Sequence, residues 1–153
     1  MASINQTVII RTDLFDMSKD IGLLAAQVAH IHFNLFRVML MDAEMACRKD
    51  TNCMENGHLD INLPKMGQLG KDISEWLREP YLLVKRVPNL ESLNYFSQAA
   101  TASGIEVHEW FDTVYVRLSS TQQKAFPNVL VGISLGPCDA DKIRTIVGDL
   151  PLL

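Results

Sequence analysis

Thr7-Val-Ile-Ile-Arg11, a polar connection through Asp13, Asp16, Ser18 and Asp20, and then Ile21-Gly-Leu-Leu-Ala-Ala-Gln-Val-Ala-His-Ile-His-Phe-Asn-Leu-Phe-Arg-Val38 decide the fold class. The first piece is short, β-branched and apolar throughout, which reads as a buried strand. The second repeats Leu24, Val28, Ile31, Leu35 and Val38 in steps of four and three, the period of a helix with one apolar face. Gln27, His30, Asn34 and Arg37 step the same way and form a polar stripe on another face. A strand followed directly by a long amphipathic helix is the opening of an α/β domain.

Working outward, this helix is expected to begin near Asp20 or Ile21 and end near Cys47. Residues 48–67 hold Asn52, Asn56, Gly57, Pro64 and Gly67 and read as an inserted or extended loop. Residues 69–79 read as a short helix carrying Ile73, Trp76 and Leu77. Tyr81 to Val87 reads as a second strand, and Asn89 as the N-cap of a helix with Leu93, Phe96 and Ala100 on one face and Gly104 at its C-terminal end. Ile105 to Trp110 is expected to be a third strand, Asp112-Thr113 a turn, and Val114 to Leu118 a further extended piece. Pro127-Asn128 punctuates before a buried strand, Val129 to Ser134. Gly136-Pro137 then turns into a last helix, about Asp139 to Val147. The expectation is one α/β domain over residues 1–153, with a mixed sheet of about four strands flanked by helices on both faces.

Composition sets bounds. The 153 residues are 48% hydrophobic and 21% charged, as in an ordinary globular domain. No unbroken run of 18 apolar residues and no secretory leader are visible, so no membrane and a cytoplasmic location are expected. Cys47, Cys53 and Cys138 fit no disulfide framework, and Cys47, Cys53 and His58 fit no zinc spacing, so neither metal nor other cofactor is expected. The net charge of −4 argues against a uniformly basic nucleic-acid binder. Residues 42–79 hold eight acidic and five basic residues, so most of that charge lies in one stretch and basic patches elsewhere are allowed.

Two residues carry candidate chemistry. His30 can transfer a proton near neutral pH or serve as a structural histidine. Asp112 can be a site carboxylate at a strand end or a turn carboxylate. Gly132 and Gly136 lack the Gly-Lys-Ser/Thr of a phosphate loop and read as a tight strand-to-helix turn or an anion-binding backbone.

Arg11-Thr-Asp-Leu14, Met17, Gly22-Leu-Leu-Ala-Ala-Gln-Val-Ala-His30, Tyr81-Leu-Leu-Val-Lys85, Asp112, Val131-Gly-Ile-Ser-Leu-Gly-Pro137 and Gly148-Asp-Leu-Pro-Leu-Leu153, in this order, resemble the second, archaeal and eukaryotic type of peptidyl-tRNA hydrolase. The resemblance covers most of residues 7–41 and 73–153. It implies a mixed sheet flanked by helices, often in a homodimer, and hydrolysis of the ester between a peptide and the 3′ end of tRNA, with tRNA or peptidyl-tRNA as partner. It implies His30 for proton transfer or substrate orientation and Asp112 for orienting or polarising the water. Gln27, one turn from His30, would support it, and Asn34 lies on the same substrate-facing stripe. The family's lysine after the helix-1 glycine is replaced by Leu23. Lys19 is then the candidate cation, Arg117 the candidate replacement for a basic group after the aspartate, and Thr113 the candidate counterpart of a family threonine. Two readings follow: a divergent hydrolase, or an inactive or re-specialised member of the fold that binds a ligand or protein. A partner-binding role for the 48–67 loop is compatible with either.

Overall fold

Strand β1, Ile4–Arg11, is buried from Asn5 to its end. Such a run of β-branched residues belongs at the centre of a sheet covered on both faces. β1 pairs in parallel with β2, Leu82–Val87, and antiparallel with β4, Gln123–Asp139, which pairs antiparallel with β3, Val107–Arg117. The order is β2-β1-β4-β3. In this computed structural model residues 3–47, 67–117, 119 and 121–153 are described.

Side chains alternate along β1. Val8 and Ile10 face Leu24 and Ile31 of α1, Ile21–Cys47, while Ile9 packs with residues of α3, Leu90–Ala102, and α4, Ala140–Val147. The short α2, Gly67–Trp76, joins α1 through Leu35, Met39 and Ile73. Helices therefore cover both faces of a mixed four-stranded sheet, as expected. Asn89 Oδ1 accepts from Ser92 N at 2.9 Å, capping α3, and Gly104 follows that helix at φ 66°. The chain end lies along the outer edge of β2, where Arg86 N donates to Pro151 O and Leu153 N to Val84 O. That cover blunts an edge strand.

Four expectations change. Asp112-Thr113 is no turn: β3 runs unbroken through it, and the irregularity falls opposite, where β4 accommodates extra residues near Pro127 and Asn128. Asn128 sits at φ 57°, so Pro127-Asn128 is a bulge inside β4 and not its boundary. β4 also continues through Gly136-Pro137 to Asp139, whose carboxylate caps α4 by accepting from Asp141 N and Lys142 N. On α1, Met39 and not Val38 closes the buried row, because α2 brings Ile73 to it. The inserted loop over 48–67 lies outside the described residues apart from Gly67, which opens α2. By length and composition Ile21–Met41 would suffice to cross a membrane; here its Leu24, Ile31 and Leu35 are packed within the fold.

Candidate active site

The site begins with a glycine. A Cβ on Gly132 would lie 2.5 Å from Ile31 Cδ1 and 2.6 Å from Ile9 O, so only glycine lets α1 settle this close to β4. Gly132 pairs across the ladder with Trp110. Seating Ile31 there brings the neighbouring α1 positions, Gln27, His30 and Asn34, against β3.

Three side chains then form a directed chain. Trp110 Nε1 donates to Gln27 Oε1 at 3.0 Å, and Gln27 Nε2 donates to Asp112 Oδ2 at 2.7 Å. Indole is only a donor and an ionised carboxylate only an acceptor, so the two ends fix which way the glutamine amide points. Asp112 Oδ1 accepts from Thr113 N at 2.7 Å, so each carboxylate oxygen is held by one N–H. Gln27 is buried and Asp112 half-buried. The His30 ring lies against Trp110, with centroids 5.4 Å apart and planes at 44°, and its residue is exposed. One turn on, Asn34 Nδ2 donates to Glu109 O at 2.9 Å and pins α1 to the β3 backbone.

The polar stripe expected on a separate face is thus divided. Gln27 and Asn34, expected on the substrate side, are buried against the sheet with their amide nitrogens engaged inside the chain. His30 and Arg37 are exposed. Gln27 bonds Asp112 and Trp110, and His30 is reached through the Trp110 ring. Thr113 contributes its backbone N–H. Lys19 lies in the connection before α1, where Nζ pairs with Asp16 Oδ2 at 3.0 Å between two exposed side chains. Hydrogen bonds from Ser18 and that lysine hold the Asp16 carboxyl down at about 2. Arg117 ends β3 opposite Gln123, and its side chain is outside the described set.

Trp110 is the site residue that sequence reading passes over. Its signal is the spacing Trp110-x-Asp112 on one strand, which puts both on one face. Arg11, prominent in the sequence, ties the end of β1: Nε and Nη2 grip Asp13 at 3.0 and 2.8 Å, and Nη1 donates to Leu130 O at 3.0 Å. Burial pushes the Cys138 thiol up to about 11, which removes it as a nucleophile. Among the described residues no three His, Cys, Asp or Glu side chains gather as metal ligands. Cys53 and His58 lie outside them.

A carboxylate held by two N–H donors can orient a water, and an exposed imidazole can move a proton. The family model described as Peptidyl-tRNA hydrolase PTH2 matches residues 4–153, essentially the whole chain. No curated protein gives a significant match.

Proposed function

The chain belongs to the peptidyl-tRNA hydrolase PTH2 family, and from that premise we propose that it hydrolyses the ester joining a peptide to the 3′ end of tRNA, releasing peptide and free tRNA. The observation that supports the reading is the Trp110–Gln27–Asp112 chain, which holds a carboxylate in a fixed orientation at one end and carries the His30 ring against its tryptophan at the other. Asp112 orients the attacking water. His30 accepts the water's proton as the new C–O bond forms, then returns a proton to the departing ribose oxygen as the ester C–O bond breaks. Gln27 and Trp110 keep Asp112 in place. Lys19 and Arg117 supply positive charge to the RNA backbone. The exposed Lys19–Asp16 pair is of a kind that contributes little, so its release costs little. A cytoplasmic location and a homodimer belong to the same proposal; the homodimer rests on the family resemblance.

One observation favours the other reading, a binding domain without hydrolysis. Leu23 stands where the family pattern has lysine, and its aliphatic side chain is exposed on α1. The deciding experiment is cleavage of a labelled peptidyl-tRNA by the folded protein, with His30→Ala and Asp112→Ala alongside. Cleavage lowered by two to four orders of magnitude in both variants is the expected result. No cleavage by the folded wild type would reject the hydrolase in favour of the binding domain, and equal rates of cleavage in all three would reject the roles given to His30 and Asp112.

A further inference from the structure

The face that carries Asp112 does not end there. Residues two apart on a strand share a face. Asp112 bonds Gln27 of α1, and Val114 packs with the cluster containing Leu24 and Ile31. Val114 pairs with Phe126 and Val116 with Lys124. Phe126 and Lys124 therefore continue the Asp112 face along the β3–β4 hairpin. There the burial gives out: Phe126 is 40% and Val116 43% exposed. Lys124 Nζ stands 5.0 Å from the centroid of the Phe126 ring.

An aromatic ring in the open, with an ammonium beside it and a carboxylate-centred site two strand positions away, calls for an occupant. The segment Val114–Phe126 carries Arg117 and Lys124 and no carboxylate, within a chain of net charge −4. A local excess of cations favours a polyanion. An exposed aromatic next to a cation is how single-stranded nucleic acid is held, the base on the ring and the phosphate on the cation.

We propose that Phe126 and Lys124 form a platform for the single-stranded 3′ end of an RNA, with a base stacked on Phe126 and its phosphate at Lys124. The proposal rests on the hydrolase reading for its purpose: the platform lies on the face that leads to Asp112, so a strand laid along it delivers its terminal ribose ester to the site. It stands apart from that reading in its test.

The test is fluorescence anisotropy with a labelled RNA minihelix bearing a four-nucleotide single-stranded 3′ end, and with a blunt-ended version, over a range of salt concentrations. Phe126→Leu is expected to weaken binding of the overhang RNA about tenfold, and Phe126→Trp to retain it. Lys124→Gln is expected to weaken binding and reduce the salt slope by about one phosphate contact. Wild type should prefer the overhang over the blunt end, and Phe126→Leu should abolish that preference. Equal binding of both RNAs, no RNA binding at all, or a Phe126→Leu variant that binds as wild type would overturn the platform. So would a change from dimer to monomer in Phe126→Leu during sedimentation, which would make the hairpin a self-interface. Failure of the two ideas is distinguishable. Overhang binding that depends on Phe126 without ester cleavage leaves the platform and removes the hydrolase. Cleavage with KM unchanged in Phe126→Leu does the reverse.

Discussion

The two faces of the sheet are built from different materials. Under α3 and α4 the core is hydrocarbon apart from Thr7, which is buried beside Ile9 and paired with Leu135: Ile9, Leu93, Ala100, Ile133, Leu135, Ile143 and Val147. Under α1 and α2, Val8, Ile10, Leu24 and Ile31 share the interior with Gln6, Gln27, Asn34, His108 and Ser134, all buried. Buried polar groups cost stability unless they are hydrogen-bonded. Gln27 and Asn34 meet that condition through Asp112, Trp110 and Glu109 O. Gln6 Oε1 lies 2.7 Å from His32 Nδ1, while Gln6 Nε2 turns to His32 O, so Nδ1 is the nitrogen that carries the proton. Among the described residues His108 Nε2 and Ser134 Oγ, on paired residues, have no hydrogen-bond partner, and Thr7 Oγ1 is the one such atom on the other face. One face is thus nearly all hydrocarbon, and the other gives up more stability to hold polar groups in fixed directions beside the candidate site.

That division is open to attack from either side. Leu135→Ala, at a fully buried position of the hydrocarbon face, should lower stability by about 3 kcal/mol in a denaturant titration while leaving kcat near wild type below the transition. A kcat loss as large as the stability loss would show that the faces are not separable. Gly132→Ala should damage both. The added methyl meets Ile9 O as well as the movable end of Ile31, so α1 must lift and β4 must shift, at a cost of about 1–3 kcal/mol. Peptidyl-tRNA cleavage should fall with it, because α1 carries Gln27 and His30. Unchanged stability and rate would mean that the close seating of α1 is not what builds the site.

How much of this was legible in the chain follows the same line. The hydrocarbon face reads directly, because Leu93, Phe96 and Ala100 keep a helical period and Asn89 and Gly104 mark its ends. The strand-then-helix opening also reads directly. The polar face does not. Gln27 and Asn34 carry the residue types of a solvated stripe, and the partners that bury them, Asp112 and Glu109, are 85 and 75 residues away. Asp112-Thr113 reads as a turn because a short carboxylate bonding a following N–H is turn chemistry. Here the same bond forms inside a strand, since β4 takes up the irregularity. His30 and Asp112 are drawn together by the family resemblance; the tryptophan between them is visible only in the fold.

Trp110→Phe sharpens the comparison at one hydrogen bond. It keeps an aromatic ring against His30 and removes the N–H that orients Gln27. The buried Oε1 is then unpaired and the amide is free to turn its oxygen toward Asp112. A net hydrogen bond is worth about 1 kcal/mol, so kcat should drop about five- to tenfold with KM little changed. A rise in KM at constant kcat would instead assign Trp110 to substrate binding.

The smallest effect concerns the histidines of the polar face. Burial lowers the pKa of His108 from 6.5, against a weaker opposing pull from Glu106, and burial alone lowers that of His32. A group whose folded pKa lies below its unfolded value binds fewer protons when folded, so stability is full above pH 6.5 and falls as the pH drops below it. The midpoint of thermal unfolding should therefore be flat from pH 8 to 7 and decline below 6.5. His108→Asn should recover roughly 3 °C of that decline at pH 5, measured relative to its own value at pH 7.5, and adding His32→Asn should recover more. Among the described residues the apolar face carries no histidine, so the decline from His32 and His108 belongs to one side of the sheet. If the double variant loses as much on acidification as wild type, the neutral buried imidazoles are not what makes this face sensitive to acid.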